Sequence, residues 1–132
     1  MSTQLHTVSP STTVGEAVAL MAQHRIGSTL VMDGNRLTGI FTERDTVRAI
    51  SQSHDAPAHE VSSWMTREPM TVGPDEDVEK ALDTMLTHGF RHLPVVDGGE
   101  VVGVVSIGDL VKFKSKLQSF EIQYLTDYIS AG

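Results

Sequence analysis

Cysteine is absent from the 132-residue sequence, which excludes disulfide bonds, thiolate metal ligands and a cysteine nucleophile. Basic residues are scarce, because 10 lysines and arginines stand against 17 aspartates and glutamates and leave a net charge of −7. A chain this acidic is not expected to present a broad basic face to nucleic acid or to an anionic membrane.

Long apolar runs are missing too. No segment approaches the ~18 consecutive apolar residues of a membrane span. The start of the chain, from Met1 to Gln4, lacks the cationic and apolar parts of a signal peptide. The hydrophobic content of 39% is nevertheless ordinary for a globular protein with a buried core. These features predict a cytoplasmic protein with no nucleic-acid or membrane partner.

The sequence contains an internal duplication. When the chain is aligned with itself at an offset of 64, residues 8–47 match residues 72–111 without a gap, and 12 of the 40 pairs are identical. We interpret the chain as a tandem repeat joined by a linker of roughly residues 53–71. The linker histidines, His54 and His59, are assigned no role.

Both copies predict the order helix, strand, turn, strand, helix. Each first helix follows an N-cap residue, Thr13 or Asp77, and repeats apolar residues at helical spacing. Two short apolar runs joined by an Asp-Gly turn then predict a hairpin. A copy of this size is marginal alone. We therefore expect an α+β body in which the two copies pack with pseudo-two-fold symmetry and leave a cleft between them.

A short motif recurs where the second strand meets the second helix: glycine, two apolar residues, a hydroxyl residue, two further residues and aspartate. Thr42 and Asp45 carry it in the first copy, and Ser106 and Asp109 carry it in the second. One interpretation is a capping box with aspartate in place of glutamate. The other is a nucleotide site, in which the helix N-terminus and hydroxyl bind phosphate and the carboxylate binds a ribose diol. Spacing alone leaves both interpretations open.

The duplicated pattern resembles a tandem cystathionine-β-synthase (CBS) domain pair, or Bateman module. The resemblance runs from residue 5 to residue 112 and is carried by the two glycine–hydroxyl–aspartate motifs, by Trp-Met-Thr-Arg-Glu-Pro at 64–69 and by His-Leu-Pro-Val-Val-Asp at 92–97. It implies a cleft that binds an adenine-containing ligand: AMP, ADP, ATP, NAD or S-adenosylmethionine. No cofactor is required.

The resemblance also implies roles for particular residues. It assigns the phosphate–ribose portion of the ligand to four residues: Thr42, Asp45, Ser106 and Asp109. It places a further five beside the ligand: Ser28, Arg44, Met70, Arg91 and His92. The two arginines would pair with phosphate, with an exposed surface arginine as the alternative, and the backbone around Met70 and Leu5–His6 would flank the adenine. Because Thr29-Leu30 replaces the Leu93-Pro94 of the second copy, the two sites are not expected to be equivalent.

The C-terminal segment carries a longer apolar pattern. Leucine and aromatic residues recur at spacings of three and four: Leu110, Phe113, Leu117, Phe120 and Tyr124, with Leu125, Tyr128 and Ile129 alongside. This pattern predicts a helical extension over residues 117–132, after CBS motif 1 with the start of the linker (1–60) and CBS motif 2 (61–116). The extension either packs back on its own domain or, as we prefer, crosses to a second subunit of a homodimer.

Taken with the resemblance, the residues favour a stand-alone regulatory module over an enzyme. No Ser-His-Asp order or phosphate-cradling glycine loop stands out. The module would bind an adenine ligand and signal in trans, through the geometry of a dimer, to an unknown effector protein. The alternatives are a structural dimerisation module with vestigial clefts, and a nucleotide-processing enzyme or metal-dependent sensor.

Overall fold

The computed structural model describes residues 5–117, 125, 126 and 129, and they form two compact units. The first unit runs from His6 to Pro69, and the second contains Leu5 and the described residues from Met70 onward. The first unit therefore ends at Pro69, while the predicted bounds of the two CBS motifs, 1–60 and 61–116, stay a prediction. None of the helices in the described part is long and apolar enough to cross a membrane.

The first unit is a four-stranded sheet with two helices. Its elements are β1 (Thr7–Val8), α1 (Val14–His24), β2 (Ser28–Asp33), β3 (Arg36–Thr42), α2 (Glu43–Gln52), two 3-10 turns (Ala56–Ala58 and Val61–Ser63) and β4 (Thr66–Arg67). The strand order is β1-β2-β3-β4. Strand β1 runs parallel to β2, and the other two pairings are antiparallel.

Helix α1 begins where the sequence predicts. The Glu16 backbone N–H donates to Thr13 Oγ1 at 3.1 Å, and the Thr13 backbone N–H donates to Glu16 Oε1 at 3.2 Å, which completes a capping box. The Thr13 hydroxyl also donates to this carboxylate, and these bonds hold the pKa of Glu16 below its usual value. The helix ends at Arg25, whose backbone is left-handed at φ 53°.

The core of the first unit explains why the division lies beyond residue 60. Val61 is fully buried against the helix α1 stripe, and its N–H donates to the Thr12 carbonyl at 2.8 Å. Strand β4 then pairs with β3 opposite Gly39. A Cβ at Gly39 would lie 2.8 Å from the backbone carbonyl oxygen of Thr66, so only glycine lets this segment approach β3. Residues 61–69 thus complete the first repeat.

The second unit repeats this plan. Its elements are α3 (Val78–His88), β5 (His92–Asp97), β6 (Glu100–Ser106) and α4 (Ile107–Leu117). Asp77 caps α3, with Oδ1 accepting from the Glu79 N–H at 2.7 Å. Val72 forms a parallel bridge to Val95, the counterpart of the β1–β2 pairing. The predicted α+β architecture is confirmed in both units.

The duplication extends beyond the aligned segments. Leu125 is fully buried in the core of the second unit, and its N–H donates to the Glu76 carbonyl at 2.9 Å. Glu76 and Leu125 lie 64 residues after Thr12 and Val61, which make the same contact in the first unit. Leu125 therefore covers the second core as Val61 covers the first.

Two further pairs support this equivalence. The Thr126 hydroxyl donates to the Pro74 carbonyl, as the Ser62 N–H donates to the Pro10 carbonyl at 3.3 Å. Ile129 also packs on the core of its own unit. Leu125 and Ile129 thus pack back on their own domain and do not follow the preferred crossing to a second subunit. Leu110 and Phe113 of the same apolar pattern are buried in that core as well. The other residues of the pattern lie outside the described side chains: Leu117, Phe120, Tyr124 and Tyr128.

Candidate functional site

Each glycine–hydroxyl–aspartate motif lies where a strand passes directly into a helix. Strand β3 ends at Thr42, which is the N-cap of α2, and Asp45 occupies the first turn. Strand β6 ends at Ser106, and Asp109 occupies the first turn of α4. Both junctions therefore place a hydroxyl and a carboxylate at the start of a helix, as the sequence predicts, where backbone N–H groups lack partners within the helix.

The start of the neighbouring strand lies opposite each motif. Ser28, the first residue of β2, pairs with Thr42 across the hairpin. His92, the first residue of β5, pairs with Ser106, and the Ile107 N–H donates to the Arg91 carbonyl at 2.9 Å. Within each unit the structure therefore places the hydroxyl residue of the motif beside a predicted site residue at the start of the neighbouring strand: Ser28 beside Thr42, and His92 beside Ser106.

In the first unit, both oxygens of the Asp45 carboxylate have protein partners. Oδ2 accepts from the Thr42 N–H at 3.0 Å and from the Thr42 hydroxyl at 3.1 Å, and the Asp45 N–H donates to Thr42 Oγ1 at 3.3 Å. Oδ1 lies 3.4 Å from Arg48 Nη2. Asp45 is buried, with 7% of its surface exposed. The capping-box interpretation thus describes this copy of the motif.

Arg48 is in turn anchored to the indole of the segment that completes the first repeat. Its Nη2 donates to the Trp64 carbonyl at 2.6 Å, and its guanidinium carbon lies 5.4 Å from the centroid of the Trp64 ring. Such a cation over an indole face is attracted by the ring quadrupole. Arg48 therefore joins the motif aspartate to Trp64, a link that sequence reasoning missed.

His59 supports the other side of Trp64. The Trp64 Nε1–H donates to His59 Nδ1 at 3.2 Å, with the two rings stacked at 6.1 Å and only 3° apart in plane. His59 Nε2 lies 3.4 Å from Asp55 Oδ1. The Ser53 hydroxyl, chiefly, and the nearby His59 lower the pKa of Asp55. The expectation that His59 has no role is therefore wrong, because an indole N–H can only donate and needs this acceptor.

The second unit presents its aspartate differently. Asp109 is exposed, and its N–H donates to Ser106 Oγ at 3.1 Å. Lys112, also exposed, stands at the position equivalent to Arg48. The neighbouring Gly108 faces open space, because a Cβ there would meet nothing within 4 Å. Only this copy of the motif combines an exposed carboxylate with open surroundings.

The remaining candidates lie at the surface or at strand starts. Arg44 and Arg91 are exposed, and Met70 is 41% exposed ahead of the Val72 bridge. Ser28 is buried and His92 is half-buried. Their contacts with a ligand stay predictions. Among the described residues, no three histidine or acidic side chains are grouped to hold a metal ion.

The CBS domain family matches the chain twice, over residues 1–52 and 60–116. The chain belongs to this family and contains a tandem pair of CBS domains, which confirms the resemblance. Because the matched segments contain both strand-to-helix junctions, the two motifs described above are equivalent parts of two family copies.

Two related proteins match this chain along most of their length. The CBS domain-containing protein YhcV of Bacillus subtilis is 40% identical over 111 residues, which cover 83% of this chain and 79% of that protein. The structure of a CBS-domain protein from Burkholderia ambifaria superimposes with a TM-score of 0.83 at 39% identity, covering 92% of this chain and 90% of that one.

Two similar structures contain ligands. CBSX2 of Arabidopsis thaliana, in complex with AMP, matches with a TM-score of 0.74 at 28% identity, covering 87% of this chain and 90% of that one. The CBS domain pair of MJ0100, in complex with 5′-methylthioadenosine and S-adenosyl-L-methionine, matches with a TM-score of 0.79 at 26% identity, covering 88% and 92%.

Proposed function

We propose that this protein is a non-catalytic regulatory module that binds an adenine-containing ligand through the motif of its second CBS domain. The proposal rests on one observation above others: Asp109 is an exposed carboxylate in the first turn of α4, beside open space at Gly108. The AMP and S-adenosylmethionine complexes of related CBS proteins support the ligand class.

The chemistry of the motif fits a nucleoside with a free ribose diol. A carboxylate accepts hydrogen bonds from two vicinal hydroxyls, and bonds to a charged acceptor are stronger than neutral ones. The Ser106 hydroxyl and the first N–H groups of α4 offer donors to a phosphate or carboxylate on the same ligand. Arg91, exposed just ahead of β5, supplies a cation for an anionic group.

Calorimetric titration with AMP tests the proposal. Asp109→Ala removes charge-assisted hydrogen bonds worth roughly 1.5–3 kcal/mol each, so we expect the Kd to rise about ten- to a hundredfold. Asp83→Ala, which removes an exposed carboxylate on α3 far along the chain from the motif, is the matched control and should leave the Kd unchanged. Equal affinity in the wild type and in Asp109→Ala would refute the site assignment.

A thermal-shift panel with AMP, ATP, NAD and S-adenosylmethionine identifies the ligand within this class. A compound that binds only the folded state raises the Tm by mass action. No shift with any of the four would instead favour the alternative, a structural dimerisation module with vestigial clefts.

The regulatory output is proposed to act in trans. A ligand changes the behaviour of a module only by binding one of its arrangements more tightly than another. We therefore extend the proposal to a cytoplasmic homodimer whose arrangement shifts on binding and is sensed by an effector protein. A scattering measurement of dimer dimensions with and without saturating ligand tests this step, and identical profiles would contradict it.

A further inference from the structure

We infer that Arg48 closes the motif of the first CBS domain to the ligand, so that each chain binds one adenine ligand and does so through Asp109. The inference rests on the proposed function and adds to it a residue that sets how many ligands bind. Arg48 is a positioning residue in this account, because it acts by holding Asp45.

Both carboxylate oxygens of Asp45 already have protein partners that a ribose would have to compete with. Its Oδ2 is taken by the Thr42 N–H and hydroxyl, and its Oδ1 faces Arg48 Nη2. The Thr42 hydroxyl donates to the same carboxylate, so it is also engaged. A ribose diol would have to displace Arg48 before it could reach this acceptor.

Displacing Arg48 means more than breaking a surface ion pair. The guanidinium group would also give up the Trp64 carbonyl at 2.6 Å and the face of the indole ring. Trp64 is fixed in place by the hydrogen bond from its Nε1–H to His59 and by ring stacking. A planar guanidinium group can serve a carboxylate, a carbonyl and an aromatic face together, which a flexible ammonium group does not.

Among the described residues of the second domain, no such arrangement holds the aspartate. Lys112 takes the position equivalent to Arg48, and both Lys112 and Asp109 are exposed, whereas Asp45 is buried. The carboxylate of the motif is therefore held by an arginine in the first domain and exposed in the second, where a lysine replaces that arginine.

The experiment counts ligands by calorimetry with AMP. The wild type should bind one AMP per chain. Asp45→Asn should leave the Kd within about twofold, while Asp109→Asn should raise it about ten- to a hundredfold. Arg48→Met, which keeps an unbranched side chain against Trp64 but removes every donor, should raise the stoichiometry to two.

Two controls test whether the second AMP bound by Arg48→Met occupies the motif of the first domain. Combining Arg48→Met with Asp45→Asn should return the stoichiometry to one, and Arg36→Met, which removes an exposed arginine at the other end of β3, should leave it at one. A purely structural role for Arg48 would not change the stoichiometry. If Arg48→Met fails to fold, Arg48→Lys, which mimics the second domain, provides the same test.

Three results would overturn the inference: two AMP per wild-type chain, loss of wild-type binding in Asp45→Asn, or a single site in the Arg48 variants. Absence of wild-type binding by all four compounds of the thermal-shift panel, AMP, ATP, NAD and S-adenosylmethionine, would instead refute the proposed function. The contact itself is then tested by a double-mutant cycle of Asp45→Asn and Arg48→Met on unfolding, where additive effects would overturn it.

Discussion

The two CBS domains place the same aspartate at the same strand-to-helix junction, yet Asp45 is buried and Asp109 is exposed. The backbone does not account for this, because each residue lies in the first turn of a helix that follows the second strand of its own domain's hairpin. The described side chains at the two junctions differ. Arg48 contacts the first aspartate and is anchored to Trp64, whereas the second domain has an exposed lysine at the position equivalent to Arg48.

The comparison teaches that one motif can have two different surroundings in a single chain. In the first domain its hydrogen bonds are internal, and they fix the start of α2 and tie it to the segment around Trp64. In the second domain the aspartate of the motif is exposed. A duplicated motif therefore does not by itself imply two duplicated sites.

The two domains are alike in having one apolar residue at an equivalent position that covers the hydrophobic core. Val61 and Leu125 are both fully buried, and each donates its N–H to a carbonyl just ahead of the first helix of its own domain. Leu125 is thus a structural part of the second domain, as Val61 in the linker is of the first.

The largest expected effect on stability tests whether Leu125 and Val61 cover the two cores in the same way. Leu125→Ala leaves a cavity in the second core and should lower the free energy of unfolding by about 2–5 kcal/mol, measured by urea denaturation. Val61→Ala, which removes fewer atoms, should lower it by about 2 kcal/mol. Val111→Ala, at a position 52% exposed on α4, is the control and should change it by less than about 0.5 kcal/mol. A neutral Leu125→Ala would break the comparison.

A smaller effect on the free energy of unfolding should distinguish Asp45 from Asp109. Asp45→Ala leaves the Thr42 N–H and the Arg48 guanidinium without their acceptor, and should lower the free energy of unfolding by about 1–3 kcal/mol. Asp109→Ala removes an exposed side chain and should change it by less than about 0.5 kcal/mol. Denaturant unfolding of the two variants side by side measures the contrast, and equal losses would show that the motifs are held in the same way.

The smallest effect concerns the core residue in which the first domain departs from the second. Thr29 is 1% exposed in β2, and its hydroxyl has no partner among the described residues. Its counterpart Leu93 is apolar and equally buried. Thr29→Val removes an unsatisfied polar atom and should raise the free energy of unfolding by about 1 kcal/mol.

Thr38→Val is the matched control for this substitution. The Thr38 hydroxyl donates to the Val31 carbonyl at 3.0 Å, so its removal should lower the free energy of unfolding by about 1 kcal/mol. Thermal unfolding of both variants gives the sign directly, and destabilisation by Thr29→Val would indicate a partner for its hydroxyl.

Much of the fold could be predicted from the sequence because its determinants are local. The N-caps Thr13 and Asp77 and the apolar stripes that follow them specify α1 and α3, and the Asp-Gly turns specify the hairpins. The extent of the repeat was harder to see. Residues 48–60 share little with their counterparts, so the alignment stopped before Val61 and Leu125, where similar rather than identical residues resume.

The candidate site, too, could be predicted from the sequence only in part. The motif residues and their position at a helix start follow from spacing. Arg48 could not be singled out, because an arginine three residues after an aspartate on a helix reads as a surface ion pair of little energetic weight. Its decisive partner, the Trp64 carbonyl, lies 16 residues along the chain and meets it only in the folded domain.

The sequence by itself determined that this chain is a duplicated CBS pair with a hydroxyl and an aspartate at two helix starts, since caps, periodicity and repeats are encoded within short segments. Only the tertiary structure decided which aspartate is buried and where the C-terminal segment packs. Burial depends on residues that come together from distant parts of the chain, and a short-range pattern carries no information about which neighbours fill the space around a side chain.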